Sequence, residues 1–148
     1  MAKICLISSS GGHFEELKML KVLEKHHEVF FVTEKTEYGS KADYYLIQTG
    51  STDKRVLPKM LKNIKQSYKI WKNEKPDFVI TTGTLVALPM AFFAKIFRKK
   101  VIYIETFARI YDGTKSGKLM YRFADLFIYQ WETLEDVYPK GIYGGSIF

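Results

Sequence analysis

Residues 3–20, with the sequence KICLISSSGGHFEELKML, join an apolar run to a glycine-containing turn and then to a helical pattern. Residues 3–8 are rich in Ile, Leu and Cys, which indicates a short buried strand. After the turn, Phe14, Leu17 and Leu20 recur at helical spacing, which indicates an amphipathic helix. The stretch therefore predicts the strand, turn and helix with which a parallel α/β domain begins.

The same alternation of strand patterns and helical patterns continues to the end of the chain. Further strands are predicted at 28–33, 43–48, 78–81, 100–104, 126–129 and 141–143, and helices at 13–24, 58–74, 84–97, 118–124 and 132–138. Strands that alternate with helices form a mostly parallel sheet through right-handed crossovers, with helices on both faces. No internal repeat, low-complexity tract or linker divides the chain, so we predict one α/β domain over residues 1–148.

Composition places the chain among basic globular proteins. Of its 148 residues 47% are hydrophobic, which is enough for a core and excludes a largely disordered chain. Lys and Arg number 23 against 16 Asp and Glu, and the formal net charge of +7 favours phosphates, nucleic acid or an acidic membrane surface without choosing among them. The single cysteine, Cys5, excludes a disulfide framework and a cysteine-based zinc site, and it fits a reducing, cytosolic compartment.

The apolar stretches are too short to act as targeting or membrane-spanning segments. The N-terminal run ends at Ser8, before a signal peptide could form. No stretch reaches the roughly 20 apolar residues that are needed to cross a bilayer. We therefore expect a soluble protein, or one that lies on a membrane without crossing it.

The loops that follow the strands are the candidate functional segments, because ligands of parallel sheets bind beyond the carboxyl ends of the strands. After the first strand comes the sequence Ser9, Ser10, Gly11, Gly12 and His13. The glycines allow a ligand to approach closely, the start of the helix attracts an anion, and an imidazole there can act as a base. The alternative interpretation is a tight turn with a serine cap and an incidental histidine. The loop has neither the ending of a P-loop nor the glycine spacing of a dinucleotide site.

Two further loops carry polar side chains at the same predicted edge of the sheet. Thr82, Gly83 and Thr84 follow the fourth strand, where they can offer hydroxyls and N–H groups to a phosphate or sugar. A helix cap formed by Thr84 is the alternative. Glu105 and Arg109 follow the fifth strand and place a carboxylate and a guanidinium at that edge. The alternative there is a surface ion pair of little energetic weight.

Two neighbouring helical segments combine apolar and basic residues. The second of them contains an apolar group that is followed directly by basic residues: Phe92, Phe93, Ile96, Phe97, Arg98, Lys99 and Lys100. The first carries a row of lysines. Apolar surface flanked by basic residues is what a peripheral membrane contact needs. The alternatives are a buried core helix and an ordinary solvated lysine face.

Metal and covalent chemistry find no support in the sequence. His26 and His27 are adjacent and therefore do not share a helical face, and no Cys, His or carboxylate spacing indicates a metal site. Neither an Asp-x-Asp nor a Gly-x-Ser-x-Gly motif occurs. We expect no metal and no cofactor.

Four segments, in order along the chain, resemble the acceptor-side subunits of split UDP-sugar glycosyltransferases: residues 8–17, 81–84, 103–109 and 137–145. This group includes the membrane-anchoring subunit of the enzyme that adds the second N-acetylglucosamine to dolichol diphosphate, and bacterial polysaccharide and capsule biosynthesis proteins. The resemblance implies a Rossmann-like fold, equivalent to the N-terminal, acceptor-binding half of a GT-B glycosyltransferase. A second polypeptide is then expected to supply the half that binds the donor.

The resemblance also implies an activity, though only as part of a heteromer. The expected reaction is inverting transfer of a sugar from a UDP-sugar to a lipid-diphosphate-linked saccharide. The glycine loop is similar to that of the peptidoglycan lipid-intermediate N-acetylglucosaminyltransferase, and by this match His13 would take the proton of the acceptor hydroxyl. Glu105 matches a glutamate of the same enzyme, although its neighbours Ile104, Thr106 and Phe107 depart from that pattern. The substrate-binding candidates are Ser9, Ser10, Gly11, Gly12, Thr82, Gly83, Thr84 and Arg109.

An acceptor that is linked to a lipid implies that the enzyme acts at a membrane surface. The sequence lacks the N-terminal spanning helix of the eukaryotic relatives, so we expect cytoplasmic, peripheral attachment to the inner face of the cell membrane through residues 92–100. Two other functions stay open. One is a non-catalytic subunit that anchors and activates its partner. The other is an unrelated nucleotide- or nucleic-acid-binding domain, although the lysines do not interleave with aromatic residues as nucleic-acid sites require, so no nucleic-acid partner is expected.

Overall fold

The computed structural model describes residues 1–37, 39–50 and 52–148, and it shows a parallel sheet of seven strands within those ranges. The strands are β1 (Lys3–Ser8), β2 (Glu28–Lys35), β3 (Tyr44–Ile47), β4 (Phe78–Gly83), β5 (Lys100–Ile104), β6 (Leu126–Tyr129) and β7 (Ile142–Tyr143). Their order across the sheet is β3-β2-β1-β4-β5-β6-β7, and all the pairs are parallel. The predicted Rossmann-like α/β sheet is thereby confirmed.

The helices differ from the predicted ones mainly at their ends. They are α1 (Gly12–Lys18), α2 (Val56–Glu74), α3 (Leu88–Ile96) and α4 (Lys115–Met120), with 3₁₀ turns at Met19–Lys25, Leu85–Ala87 and Glu132–Leu134. α4 starts earlier than predicted because the Thr114 hydroxyl accepts the Gly117 N–H and caps it there. Pro89 lies in the first turn of α3, where its missing N–H costs nothing, so it begins this helix and does not interrupt it. The predicted helix at 132–138 shortens to a single 3₁₀ turn.

Alternate residues of the strands face two separate parts of the core. In β1, Cys5 and Ile7 point towards α2 and α3, where they pack in a cluster with Trp71 and Met90. Ile4 and Leu6 point to the opposite face, in a cluster with Phe14 and Leu17 of α1. This two-faced burial explains why the strand reads as a continuous apolar run rather than an alternating one.

Aspartates that precede three strands fix the amino-terminal edge of the sheet. Asp43, Asp77 and Asp125 accept the backbone N–H groups of Phe31, Lys3 and Val101 at 2.8, 3.0 and 2.8 Å. The Lys3 N–H and the Lys99 ammonium lower the pKa of the Asp77 carboxyl. Burial alone would raise the pKa of Asp125, but the Val101 N–H and the Lys95 ammonium hold it below its ordinary value. These carboxylates set the strand register at the edge opposite the candidate functional loops.

Candidate functional site

The loops after β1 and β4 meet at the point where the strand order reverses. Ser8 pairs with Gly83, and the Ser9 N–H donates to the Gly83 carbonyl oxygen at 3.0 Å. From β1 the chain leads outward to β2 and β3, whereas from β4 it leads the other way to β5 and β6. The crevice between the carboxyl ends of two such strands is the usual ligand-binding place of an open parallel sheet.

His13 is held in one orientation by the end of β4. Its Nδ1 lies 2.8 Å from the carbonyl oxygen of Thr82, and the Thr82 hydroxyl donates to the carbonyl oxygen of His13 at 2.8 Å. A carbonyl oxygen can only accept, so Nδ1 carries the hydrogen and Nε2 of the neutral ring keeps its lone pair. No group in the described ranges hydrogen-bonds Nε2. The half-buried imidazole is therefore arranged to accept a proton from a ligand.

The glycine loop is open and lacks the serine cap of the alternative interpretation. The residue at the N-cap of α1 is Gly11, with φ +83°, and no side chain caps the helix. A Cβ added at Gly11 or Gly12 would meet nothing within 4 Å. Within the part of the chain that the structure describes, the N–H groups of Gly11, Gly12 and His13 find no acceptor. Successive free N–H groups of this kind attract phosphate oxygens.

The serines of the same loop make contacts within the protein, and their contact with substrate stays a prediction. Ser9 is buried, with 9% of its surface exposed. The N–H and hydroxyl of Ser10 approach Oε2 of Glu34 at 3.4 and 3.3 Å. Oε1 of the same buried carboxylate accepts the N–H of Thr49 at 3.1 Å. Glu34 therefore ties the glycine loop to the segment after β3.

Thr82, Gly83 and Thr84 divide into one positioning residue and two residues at the crevice. The Thr82 side chain is fully buried and bonds the backbone of His13, so it positions the histidine and does not reach substrate. Gly83 has φ +111°, a conformation that favours glycine. Thr84 is half-buried at the start of the next turn, and its hydroxyl makes no capping hydrogen bond.

A cluster of hydroxyl groups lies beside His13 and was missed in the sequence. A Cβ added to Gly83 would lie 3.2 Å from the Tyr103 hydroxyl oxygen, 3.4 Å from Ser116 Oγ and 3.6 Å from His13 Cε1. Tyr103 and Ser116 hydroxyls are 3.2 Å apart. Burial, together with the charge of Glu105, raises the pKa of Tyr103 well above its ordinary value, so this hydroxyl stays protonated. The fold brings Tyr103 and Ser116 together beside His13, so their proximity does not appear in the local sequence.

Glu105 is fully buried, and donors occupy both of its oxygens. Oε1 accepts the Thr106 N–H and the Thr114 hydroxyl at 3.2 and 2.9 Å, while Oε2 accepts the Thr114 N–H and the Tyr138 hydroxyl at 3.0 and 2.5 Å. Burial and the bond to Glu105 raise the pKa of Tyr138, which keeps it a donor. Four donors match the acceptor capacity of a carboxylate. This geometry favours a structural role, closing the loop between β5 and α4, over the predicted catalytic one.

Glu16 is a second buried carboxylate at this edge, and it was not predicted as a site residue. Its Oε1 accepts the hydroxyl of Thr106 at 2.6 Å and the N–H of Phe107 at 3.0 Å, and its Oε2 accepts the Gln130 amide at 3.2 Å. It therefore joins α1, which carries His13, to the loops after β5 and β6. Its position three residues after His13 was the one available signal, because side chains at that spacing lie near each other on a helix.

Arg109 pairs with a carboxylate of its own loop, between β5 and α4. Its exposed guanidinium contacts the carboxylate of Asp112 at 3.1 and 3.2 Å. Arg109 thus forms a surface ion pair with Asp112 and not with Glu105, which is buried, and surface pairs of this kind contribute little to stability. Among the described residues, no group of three or more His, Cys, Asp or Glu side chains is arranged to hold a metal ion.

The predicted membrane-contact residues form part of a larger exposed apolar surface. Phe92, Ile96 and Phe97 are 62%, 58% and 47% exposed, whereas Phe93 is half-buried against Tyr68. A groove of about 250 Å³ with almost entirely apolar walls runs between α3 and α2. The surface continues on α2 through further exposed side chains, Leu57, Leu61 and Ile64. Arg98, Lys99 and Lys100 follow α3, although Lys99 and Lys100 lie 3.1 and 4.0 Å from aspartate oxygens.

None of the described helices is both long and apolar enough to cross a bilayer.

Solved structures with the same fold include enzymes that act on nucleotide sugars. MurG of Acinetobacter baumannii superposes with a TM-score of 0.71 at 15% identity, over 90% of this chain and 43% of that chain. UDP-N-acetylglucosamine 2-epimerase of Rickettsia bellii superposes with a TM-score of 0.75 at 19% identity, over 99% of this chain and 45% of that chain. At such identities the likeness establishes the fold alone.

Sequence comparison identifies the family. The UDP-N-acetylglucosamine transferase subunit ALG14 of Rattus norvegicus is 36% identical over 92 residues, which cover 54% of this chain and 43% of the rat protein. The protein of the same name from Yarrowia lipolytica is 24% identical over 176 residues, covering 98% of this chain and 81% of that protein. The chain thus aligns with less than half of the rat protein. A family model described as "Oligosaccharide biosynthesis protein Alg14 like" matches residues 54–147, well over half of the chain. This chain therefore belongs to the Alg14-like family of oligosaccharide biosynthesis proteins.

Proposed function

We propose that this chain is the acceptor-side subunit of a two-chain glycosyltransferase, which transfers N-acetylglucosamine from its UDP derivative to a lipid-diphosphate-linked saccharide. The observation that carries the proposal is His13, whose Nε2 is free beside an open glycine loop at the reversal point of the sheet. The names of the relatives, each a transferase subunit, support both the donor and the need for a second chain. A role in bacterial polysaccharide or capsule synthesis remains a prediction.

The mechanism follows from the groups at the crevice. The acceptor diphosphate lies against the free N–H groups of Gly11 and Gly12, and the acceptor hydroxyl approaches Nε2 of His13. The hydroxyl oxygen attacks the anomeric carbon as its proton passes to Nε2, and the bond from that carbon to the UDP oxygen breaks with inversion. The bond from Nδ1–H to the Thr82 carbonyl oxygen stabilises the imidazolium that forms. The proton then returns to solvent, and the partner chain stabilises the departing UDP.

A competing function rests on the same contacts. The two hydrogen bonds between His13 and Thr82 also clamp α1 to β4, so the histidine can serve structure alone in a subunit that only activates its partner. A variant of His13 that keeps the clamp but removes the base separates the two functions.

The proposed division of substrates predicts where UDP binds. Isothermal titration should show that UDP-N-acetylglucosamine binds the assembled pair of chains and binds the isolated chain at least about tenfold more weakly, since the partner holds the nucleotide. The chain should also co-purify with that partner after joint expression. Equal affinity of the isolated chain and of the pair for the nucleotide sugar would place the donor site here and contradict the proposal.

We further propose peripheral attachment to the cytoplasmic face of an anionic membrane through the apolar surface of α2 and α3. Each basic residue near such a surface contributes roughly 1 kcal/mol, and salt screens this contribution. The triple variant Phe92→Ser, Ile96→Ser and Arg98→Gln should therefore bind anionic vesicles at least about tenfold more weakly in co-sedimentation at low salt. All three side chains are exposed, so folding should be preserved.

A matched control lies on the α1 side of the sheet. Met19→Ser, Lys21→Gln and Val22→Ser also remove two exposed apolar groups and one basic group. This variant should retain full vesicle binding. Equal binding by both triple variants, or equal binding of the native chain to neutral and anionic vesicles, would count against the surface of α2 and α3.

A further inference from the structure

A cavity of about 680 Å³ lies between β3 and the amino-terminal half of α2. Its volume is within the range of small-molecule sites, roughly 300–1,000 Å³. The lining includes Lys35, Tyr45, Gln48, Lys62 and Gln66, none of which takes part in the mechanism above. The cavity is therefore a second place at which the protein could hold a ligand.

The frame of the cavity is fixed by a buried asparagine. Asn63 of α2 is fully buried, and its side chain is bonded on both sides to the backbone of Ile47 in the edge strand. Oδ1 accepts the Ile47 N–H and Nδ2 donates to the Ile47 carbonyl oxygen, both at 2.8 Å. Because both the oxygen and the nitrogen of the Asn63 amide bond the Ile47 backbone, α2 is held at a set distance from β3. The cavity beside this contact therefore belongs to the folded structure.

The cavity carries an excess of positive charge. Three lysines line it, Lys35, Lys59 and Lys62, against one carboxylate, Asp53. The Lys59 ammonium and then the Arg55 N–H donate hydrogen bonds to Asp53 and lower its pKa, so the carboxylate stays ionised and Lys59 balances its charge. Neither Lys35 nor Lys62 makes an ion pair within residues 1–37, 39–50 and 52–148. Two ammonium groups thus remain for an anionic ligand.

The other lining groups suit a saccharide better than a bare anion. Tyr45 and Ile47 are 42% and 38% exposed and give the cavity an apolar wall. Gln48 and Gln66 supply amide groups that both donate and accept. A sugar ring has C–H faces that pack on an apolar wall and hydroxyls that pair with amides, whereas inorganic phosphate uses neither feature.

Hydrogen bonds of the buried Glu34 join the rim of the cavity to the glycine loop at the crevice. One oxygen of this carboxylate bonds Ser10 of the glycine loop, and the other bonds Thr49, next to Gly50 on the cavity rim. Lys35 follows Glu34 at the end of β2 and lines the cavity. A saccharide that extends from the crevice would thus meet this cavity along the carboxyl edge of the sheet.

We propose that the cavity between β3 and α2 binds an acidic sugar unit, through Lys35 and Lys62, of the saccharide on which the transferase acts. The identity of that saccharide as the acceptor rests on the proposed function. Binding of an acidic oligosaccharide does not, because it is measured without the partner chain and without turnover.

The test is a titration of the full ¹⁵N-labelled chain at low salt with four probes: trigalacturonic acid, neutral maltotriose, pyrophosphate and an oligothymidylate. Trigalacturonic acid should shift the amide signals of Gln48, Gly50, Thr52 and Gln66, and it should bind at least about tenfold more tightly than maltotriose. The Lys35→Gln/Lys62→Gln variant should lose about tenfold or more in affinity for trigalacturonic acid. The control variant Lys65→Gln/Lys69→Gln removes the same charge from exposed positions of α2 outside the cavity and should bind normally.

Four results would overturn the proposal. They are no cavity shifts with trigalacturonic acid, equal binding of maltotriose, pyrophosphate binding as tight as that of trigalacturonic acid, and tighter binding of the oligothymidylate. The third would reduce the cavity to a simple anion site, and the fourth would assign it to nucleic acid. If the assembled pair failed to transfer sugar, all of these binding measurements would be unchanged, so the two proposals can fail separately.

Discussion

In the assembled two-chain enzyme, His13→Ala is expected to lower kcat by about 10²–10⁴-fold, which is the usual contribution of a positioned acid–base group. The physical reason is the free Nε2 of the imidazole, whose tautomer is fixed by the Thr82 carbonyl oxygen. Transfer of radiolabelled sugar at saturating substrate measures kcat, and size-exclusion chromatography checks that the complex still forms. The fold should be kept, because His13 lies at the crevice and outside the buried clusters of the core.

The matched variant is His13→Asn. An asparagine amide can replace Nδ1–H as the donor to the Thr82 carbonyl oxygen, so the clamp between α1 and β4 is kept while the base is lost. If His13 is the base, His13→Asn should be as impaired in kcat as His13→Ala. Near-native kcat in the asparagine variant would show that the clamp is what matters and would favour the non-catalytic subunit.

Replacement of Glu105 should lower the stability of the fold, because its contacts favour a structural role over a catalytic one. Each of its oxygens accepts one backbone N–H, from Thr106 or from Thr114, so either orientation of the amide in Glu105→Gln places an NH₂ group against a fixed donor. Buried donors without acceptors cost about 1–3 kcal/mol each, and we expect a loss of roughly 2–4 kcal/mol in the free energy of unfolding. For a chain of this size that lowers Tm by roughly 5–15 °C in a thermal melt.

Gly117→Ala tests the same hydrogen-bonded cluster around Glu105, because Gly117 lies against that carboxylate. A Cβ at Gly117 would overlap the carboxylate of Glu105 and lie 2.8 Å from Thr114 Oγ1, and the four donors prevent the carboxylate from moving away. Gly50→Ala is the control, because a Cβ at Gly50 meets nothing within 4 Å. Gly117→Ala should be destabilised and Gly50→Ala should not. A Glu105→Gln protein that melts normally but has lost transfer activity would restore the catalytic role first predicted for Glu105.

The fold could be predicted from the sequence because its signals are local. The apolar run of β1 and the helical spacing of Phe14 and Leu17 depend only on neighbours in the chain, and both are buried as expected. Helix ends were predicted less well where the end depends on a specific side-chain contact. α4 starts three residues before the predicted position because the Thr114 hydroxyl accepts the Gly117 N–H and donates to the Glu105 carboxylate.

The candidate site was predicted only in part because its contacts join distant segments. His13 and the open glycines are visible in the sequence, since a Gly-Gly-His turn after a strand is a local pattern. Thr82 lies 69 residues from His13, and its role in orienting the imidazole appears only when β1 and β4 pair. The burial of Glu16 and Glu105 is likewise a property of the assembled sheet edge. A glutamate after a strand reads the same in the sequence whether it faces substrate or four internal donors.

The central claim, that this chain is one half of a transferase, is tested most directly by sugar transfer with and without the second chain. Purified protein is incubated with radiolabelled UDP-N-acetylglucosamine and a lipid-diphosphate-linked saccharide, alone and together with the donor-binding chain that co-purifies with it. We predict no transfer by this chain alone, no transfer by the partner alone, and robust inverting transfer by the pair. Robust turnover by the isolated chain, or full activity of the partner in its absence, would contradict the account.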